Sequence, residues 1–335
     1  MRFPMSKLFR FIYLKLIFCL LLCSVILSGC QTKEPIHATG IYFDTVVTIQ
    51  LYGTKDQTLL TECMQMCKDF ESRFDRTDPA SEISKINTAK GTPVTVSDDT
   101  VNLIREGLSY CELSDGAFDI TIAPLNDLWD FKNNTGAVPS QESINAALPH
   151  VDYRNVILDG NTVTLKDPEA ALDLGGIAKG YIADCLKEYL ISKQVKHATI
   201  NLGGNVLVIG DNLGNKPFHI GIAKPFDDKN VPITSVYVTD QAVTSSGNYQ
   251  RYFEAGGKIY HHILNPKTGY PYENSLYGVT ILSDTSTQGD GLSTVCFALG
   301  FEQGMQLIQS LDDVEAIFIT DDYKLHDSRT QLKEN

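Results

Sequence analysis

The chain has 335 residues, 43% of them hydrophobic, and a formal net charge of −13. That apolar share is ordinary for a chain that buries a sizeable core, and the length suits one large domain or two small ones. The negative balance argues against nucleic acid or an acidic lipid surface as the main partner. It leaves room for a phosphate ligand, because a local metal or a helix N-terminus overrides the global sign.

In chain order, Arg2, Lys7, Arg10 and Lys15 precede an uncharged apolar run over residues 16–27. A basic start, a short apolar core and small residues before a cut predict a secretory signal over residues 1–29. The apolar core is shorter than the roughly 20 residues that span a bilayer. Leu27-Ser28-Gly29-Cys30 resembles the lipobox of bacterial lipoproteins. That resemblance implies cleavage before Cys30, a diacylglyceryl group on its sulfur, and a domain held on the extracytoplasmic side of the cell membrane. An uncleaved anchor is the alternative. Residues 30–39 then read as a lipidated linker and residues 40–330 as one domain. With Cys19, Cys23 and Cys30 assigned to the leader and the lipid, Cys63, Cys67, Cys111, Cys185 and Cys296 remain. No pair has zinc-ribbon spacing; buried free thiols are the expectation, and a disulfide is the alternative.

Residues 45–52 are β-branched and partly alternating, which predicts a strand. Leu59, Leu60, Cys63, Met66, Cys67, Phe70 and Phe74 recur at helical spacing over residues 58–74. Ser97, followed by Asp98 and Asp99, predicts an N-cap and a helix to about residue 113. Asp159-Gly160-Asn161 between residues 156–158 and 162–165 is a hairpin signal. Further on, a helix is expected over 176–190 and strands over 198–209, 218–222 and 233–239. A strand over 276–282 leads into a helix near 287–300, and a last strand covers 314–319. Strands and helices mix without regular βαβ alternation, so the predicted class is α+β, a single mixed domain.

Three segments carry chemistry. In Asp173-Leu174-Gly175-Gly176-Ile177-Ala178-Lys179-Gly180 a glycine pair opens a helix, where exposed backbone N–H groups suit an anion. Lys179 lies one turn in, within reach of a phosphate, and Asp173 can accept from a nucleobase or sugar. A plain tight turn is the competing reading. In His261-His262-Ile263-Leu264-Asn265-Pro266 a strand runs into a turn, and the two imidazoles point to opposite faces, one a catalytic candidate and the other exposed. In Gly289-Asp290-Gly291-Leu292-Ser293-Thr294, Asp290 and Thr294 stand i and i+4 on one helix face. A carboxylate with hydroxyls is a hard oxygen set right for Mg²⁺. An acid balancing the helix dipole is the alternative.

Together with Gly116-Ala117-Phe118-Asp119, Asn201-Leu202-Gly203-Gly204-Asn205, Thr244-Ser245-Ser246-Gly247 and Asp78-Pro79-Ala80-Ser81-Glu82-Ile83, these segments resemble the FAD:protein FMN transferase family, the ApbE-type flavin transferases, over nearly the whole mature chain. The resemblance implies Mg²⁺-dependent transfer of FMN from FAD to a threonine hydroxyl of an acceptor protein, with release of AMP. It implies Asp290, Thr294 and the Gly176 carbonyl as metal ligands, with Ser293 as a contributor. Phe43, Thr77, Ala117, Phe118, Asp119, Asp173, Lys179 and Leu264 are then the FAD contacts, and His262 the base. The implied partners are FAD, an acceptor with an extracytoplasmic threonine, and the membrane through Cys30. Thr77 stands where many relatives carry an aromatic, Phe43-Asp44 where Met-Gly is usual, and Asn265 where Asp is common. Two further readings use the same residues: an FAD pyrophosphatase giving FMN and AMP, and a flavin-binding lipoprotein without turnover.

Overall fold

The structure is a computed structural model and describes residues 34–131, 133, 136–227 and 231–331. The predicted signal and Cys30 lie outside the described residues. From Ile36 onward the chain forms one compact unit. Its centre is an eight-stranded sheet in the order β1-β2-β6-β7-β10-β13-β14-β15, every neighbouring pair antiparallel. These strands are β1 (Ile36–Tyr42), β2 (Thr45–Leu51), β6 (Ala198–Leu202), β7 (Asn205–Ile209), β10 (Ala242–Gly247), β13 (Leu276–Ser283), β14 (Glu315–Thr320) and β15 (Leu325–Asp327). Strand β1 takes up residues 36–39 of the stretch expected as linker, because residues 36–42 pair in register with residues 45–51.

Side-chain alternation gives the sheet two apolar faces. Leu207, Val279, Ile281, Ala316 and Phe318 belong to the main core. That core is shared with helices including α1 (Gln57–Phe74), α6 (Ala178–Ser192) and α7 (Ser286–Gln309). The intervening residues Val208, Val243, Leu282, Ile317 and Ile319 face the other way. There they meet Phe218, Ile222, Val236 and Val238 of a two-stranded ribbon, β8 (Phe218–Ala223) with β9 (Pro232–Val238). A third apolar cluster, around Leu125, Trp129, Ile144, Phe253 and Leu264, lies beneath α4 (Ala123–Trp129), α5 (Gln141–Ala147) and the β11–β12 hairpin (Tyr252–Ala255 and Lys258–His261). The short helix α2 (Glu82–Thr88), α3 (Asp98–Leu113), the terminal α8 (Ser328–Gln331) and the small β3-β5-β4 sheet (Val94–Thr95, Thr162–Leu165, Val156–Asp159) complete the fold. The mixed α+β class read from the sequence is the class observed.

Three local expectations change. Residues 198–209 form a hairpin rather than one strand: Gly203 and Gly204 both take positive φ (64° and 101°), which glycine adopts at little steric cost. Asn201 pins that turn by accepting from the Gly204 N–H at 2.9 Å. Helix α6 starts at Ala178, leaving Gly175 and Gly176 in the preceding loop. Helix α7 runs on to Gln309, but Gly300 (φ 80°, ψ 177°) interrupts it near the expected end. The five cysteines of the domain are free; Cys185 is half-buried and the others are buried.

Candidate active site

The site forms where the α6 and α7 N-termini meet. Asp184 on α6 accepts from the Ser286 and Thr287 backbone N–H groups, each at 2.8 Å, and so caps α7 from outside. Those are donors a helix start leaves unpaired. A Cβ on Gly180 would come within 2.8 Å of the Asp290 Cβ and collide with the Ser286 carbonyl. Only glycine lets the helices approach this closely. The Gly180 N–H then donates to Asp290 Oδ2 at 2.9 Å, and Asn205 Nδ2 on β7 donates to Oδ1 at 2.8 Å. Lys179 Nζ stands 3.9 Å from Oδ1 and donates to the Gly175 carbonyl at 3.3 Å. Asp290 is thus a carboxylate with only 3% exposure, oriented by three elements.

Asp290 opens onto a cleft of about 850 Å³. Thr294, Gly176 and Lys179 line it beside Asp290, and His262, Ile263 and Leu264 form another wall. Phe43, Thr77, Ala117, Phe118, Asp119 and Asp173 line it as well. Phe118 packs on Gly176 so closely that a Cβ there would lie 2.8 Å from its ring. Of the described residues to which the resemblance gives a metal, FAD or base role, Ser293 is the one kept from the cleft. It has no exposure, donates to the Asp290 carbonyl at 3.0 Å and meets Ser246 Oγ at 2.8 Å. At i+3 from Asp290 its side chain turns inward, and Ser246 on β10 lines the cleft next to Thr294 (Oγ to Oγ1 3.0 Å).

Asp173 is more committed than the sequence suggests. Its Oδ1 accepts from the Gly175 N–H at 2.9 Å, and its Oδ2 from Asn126 Nδ2 at 2.9 Å and from Arg76 Nε at 3.0 Å. Arg76 also pairs with Asp127 at 2.7 Å. The buried Asp119 carboxylate takes the Thr121 N–H and hydroxyl and the Tyr153 N–H, at 2.7–3.0 Å, so it braces its loop rather than facing a ligand. Burial raises its pKa against these donors. Thr77 directs both its hydroxyl and its N–H to Asp75. An aromatic that the sequence did not single out, Phe131, lines the cleft and stacks on the buried Trp129 (centroids 5.8 Å, 7° apart). Phe43 and Asp44 both take φ 56° at the β1–β2 turn, the twist a tight hairpin demands. Neither Arg76 nor Phe131 carries a periodic signal; both sit in loops.

The two histidines divide sharply. His261 is buried, its Nδ1 accepting from the Ile263 N–H (3.3 Å) and its Nε2 donating to the Tyr272 carbonyl (2.9 Å). Burial pushes its pKa down to about 4, so it is neutral and structural rather than the exposed bystander expected. His262 faces the cleft with Nδ1 3.3 Å from the Arg251 carbonyl. Donation from Nδ1 fixes the tautomer and leaves Nε2 as an acceptor. Desolvation, then His261, Arg251 and Lys179, push the His262 pKa down to about 3.

Among the described residues no three His, Cys, Asp or Glu side chains gather as a metal cluster. Asp290, Thr294 and Gly176 all line the cleft, and a carboxylate, a hydroxyl and a carbonyl would offer an oxygen-only set with a single full charge. That chemistry fits Mg²⁺, which binds through one or two carboxylates and completes its shell with water and substrate phosphate.

Residues 43–318 match the ApbE family. A protein from Klebsiella pneumoniae named FAD:protein FMN transferase is 39% identical over 285 residues, covering 84% of this chain and 88% of its own. One of the same name from Treponema pallidum is 29% identical over 329 residues, covering 92% and 91%. Among solved structures, the ApbE protein of Thermotoga maritima superposes with a TM-score of 0.82 at 32% identity, over 90% of this chain and 99% of its own. The flavin transferase ApbE of Vibrio cholerae gives 0.79 at 28% identity, over 90% and 99%.

Proposed function

The chain belongs to the ApbE family and is a transferase, and from that premise we propose that it moves FMN from FAD to a threonine hydroxyl of an acceptor protein, releases AMP and requires Mg²⁺. The observation that carries this reading is the meeting of a buried, oriented carboxylate, a lysine and a tautomer-fixed imidazole on one cleft.

In the proposed reaction the threonine Oγ bonds to the flavin-side phosphorus, and the bridging P–O bond breaks with its electron pair going to AMP. The threonine proton passes to His262 Nε2. The depressed pKa keeps that nitrogen unprotonated at neutral pH, and a diphosphate anion brought beside it favours the imidazolium as it forms. Lys179 presents a point charge to the diphosphate. Asp290, Thr294 and the Gly176 carbonyl would hold the Mg²⁺, which supplies neutralisation of the diphosphate and of the leaving phosphate. The acid-rich part of the cleft, where Asp127 and Asp173 pair with Arg76, suits neutral rings and hydroxyls rather than phosphates. There Phe131 and Phe118 offer aromatic walls. Attachment at Cys30 would hold this chemistry on the extracytoplasmic side of the membrane, where an acceptor threonine must be presented.

The test is incubation with FAD, Mg²⁺ and a threonine-bearing acceptor domain. The expected result is an acceptor mass increase of one FMN less water, matched by AMP. Release of free FMN and AMP with an unmodified acceptor would make water the nucleophile and the protein a pyrophosphatase. Intact FAD beside folded protein would make it a binding lipoprotein.

A further inference from the structure

Three cationic side chains line the cleft among the described residues: Arg76, Lys179 and Arg251. Arg76 is engaged by Asp127 and Asp173, and Lys179 is shared between Asp290 and the Gly175 carbonyl. Arg251 is exposed to the cleft, and its guanidinium has no hydrogen-bond or ion-pair partner among the described residues. Its main chain is nevertheless fixed. The Gln250 N–H turns back to the Gly247 carbonyl, Gln250 Nε2 reaches the Ser245 carbonyl at 3.1 Å, and the Arg251 carbonyl accepts from the His262 N–H at 3.1 Å. The turn therefore holds the Arg251 main chain against His262, and the uncommitted Arg251 side chain lines the same cleft as the imidazole. Both Arg251 and Lys179 disfavour positive charge on His262. Gathering these cations around a site that takes up a proton is unfavourable until an anion arrives. In a chain of net charge −13, such a local cluster calls for a ligand of opposite sign.

We infer that Arg251 grips the FAD diphosphate beside His262 and neutralises the charge that grows on its oxygens as the bridging P–O bond breaks. The inference rests on the flavin-transfer reading above. A planar guanidinium offers paired donors to two phosphate oxygens, which a lysine ammonium does not reproduce. Arg251 keeps all its protons throughout: the threonine proton goes to His262, and the electron pair of the broken bond leaves with AMP. Since the carbonyl of residue 251 orients His262, side-chain substitution leaves the base in place and isolates the guanidinium.

The experiment compares full-length wild type, Arg251→Met and Arg251→Lys. It reads the transfer rate at saturating FAD, the thermal midpoint, and the affinities for ADP and adenosine by competition with FAD. Arg251→Met should lower transfer by about 10²-fold or more, the scale of a lost charge-stabilising donor. It should weaken ADP by about tenfold while leaving adenosine unchanged, and Arg251→Lys should recover part of both losses. A rate for Arg251→Met within about threefold of wild type, or equal losses for ADP and adenosine, would overturn the assignment. If wild type itself transfers no FMN, the flavin-transfer reading fails, and the ADP-to-adenosine comparison still decides what Arg251 binds.

Discussion

Two substitutions test the chemistry directly. Asp290→Asn removes the one full charge in the oxygen set yet keeps an acceptor for the Gly180 N–H, and Asn205 can rotate its amide to face the new group. The fold should survive while transfer falls by about 10²-fold or more; full activity in a folded Asp290→Asn protein, or in excess EDTA, contradicts the metal assignment. His262→Ala should retain FAD binding and lose about 10²-fold or more in rate, the usual scale for a general base. Loss of FAD affinity instead would make His262 a ligand contact. His261 makes a separate prediction about acid stability. Its imidazole stays neutral in the fold down to about pH 4, whereas the unfolded chain takes up a proton below about pH 6.5. The unfolded state binds more protons across that window, so stability rises with pH within it and is lost as pH falls. Urea midpoints should drop between pH 7 and pH 4.5, by on the order of 3 kcal/mol at most from this residue. His261→Gln, which keeps a donor and an acceptor, should flatten the slope, and an unchanged slope argues against a buried neutral His261.

Helices α6 and α7 set the position of Asp290 through two residues that need never touch substrate. Gly180 permits the close crossing, and Asp184 caps α7 through the Ser286 and Thr287 N–H groups. Gly180→Ala drives a methyl into the Ser286 carbonyl, and the helices must separate, at a cost of about 2 kcal/mol or more. Activity should fall further than stability predicts, since the Gly180 N–H to Asp290 bond is lost with the crossing. Asp184→Ala strands two buried donors and should cost about 2 kcal/mol. Measuring thermal midpoint and transfer rate together distinguishes the two: a Gly180→Ala protein with both values unchanged would mean that the crossing tolerates a side chain. The β6–β7 hairpin contributes in the same indirect way. Its Gly203-Gly204 turn reverses the chain so that Asn205 starts β7 facing Asp290.

For the whole molecule, the compact unit beginning at Ile36 carries every described residue of the cleft. A chain truncated to begin at Lys33 should therefore be soluble and fully active, whereas Cys30→Ala in the full chain should abolish lipid labelling without changing transfer in detergent. A well-folded truncated protein that fails to bind FAD would show that the leader side of the chain helps to form the site. The sequence by itself was enough for the α+β class, the long helices and the flavin-transferase likeness. Amphipathic spacing as at Leu59, Cys63 and Phe70, caps such as Ser97 and ordered motifs are local properties, written within a few turns of chain. It also marked Asp290, Thr294, Lys179 and the His261-His262 pair, because glycine turns and hard-oxygen or imidazole side chains stand out one segment at a time, while the family likeness added Gly176 and the choice of His262. Only the tertiary structure decided that Ser293 faces inward while Ser246 takes a place in the cleft, that Arg76 occupies Asp173, that Phe131 lines the cleft, and that His261 is buried. The first two depend on partners 47 and 97 residues away, Ser246 for Ser293 and Asp173 for Arg76, and all follow from strand order and helix crossing, which no local pattern records.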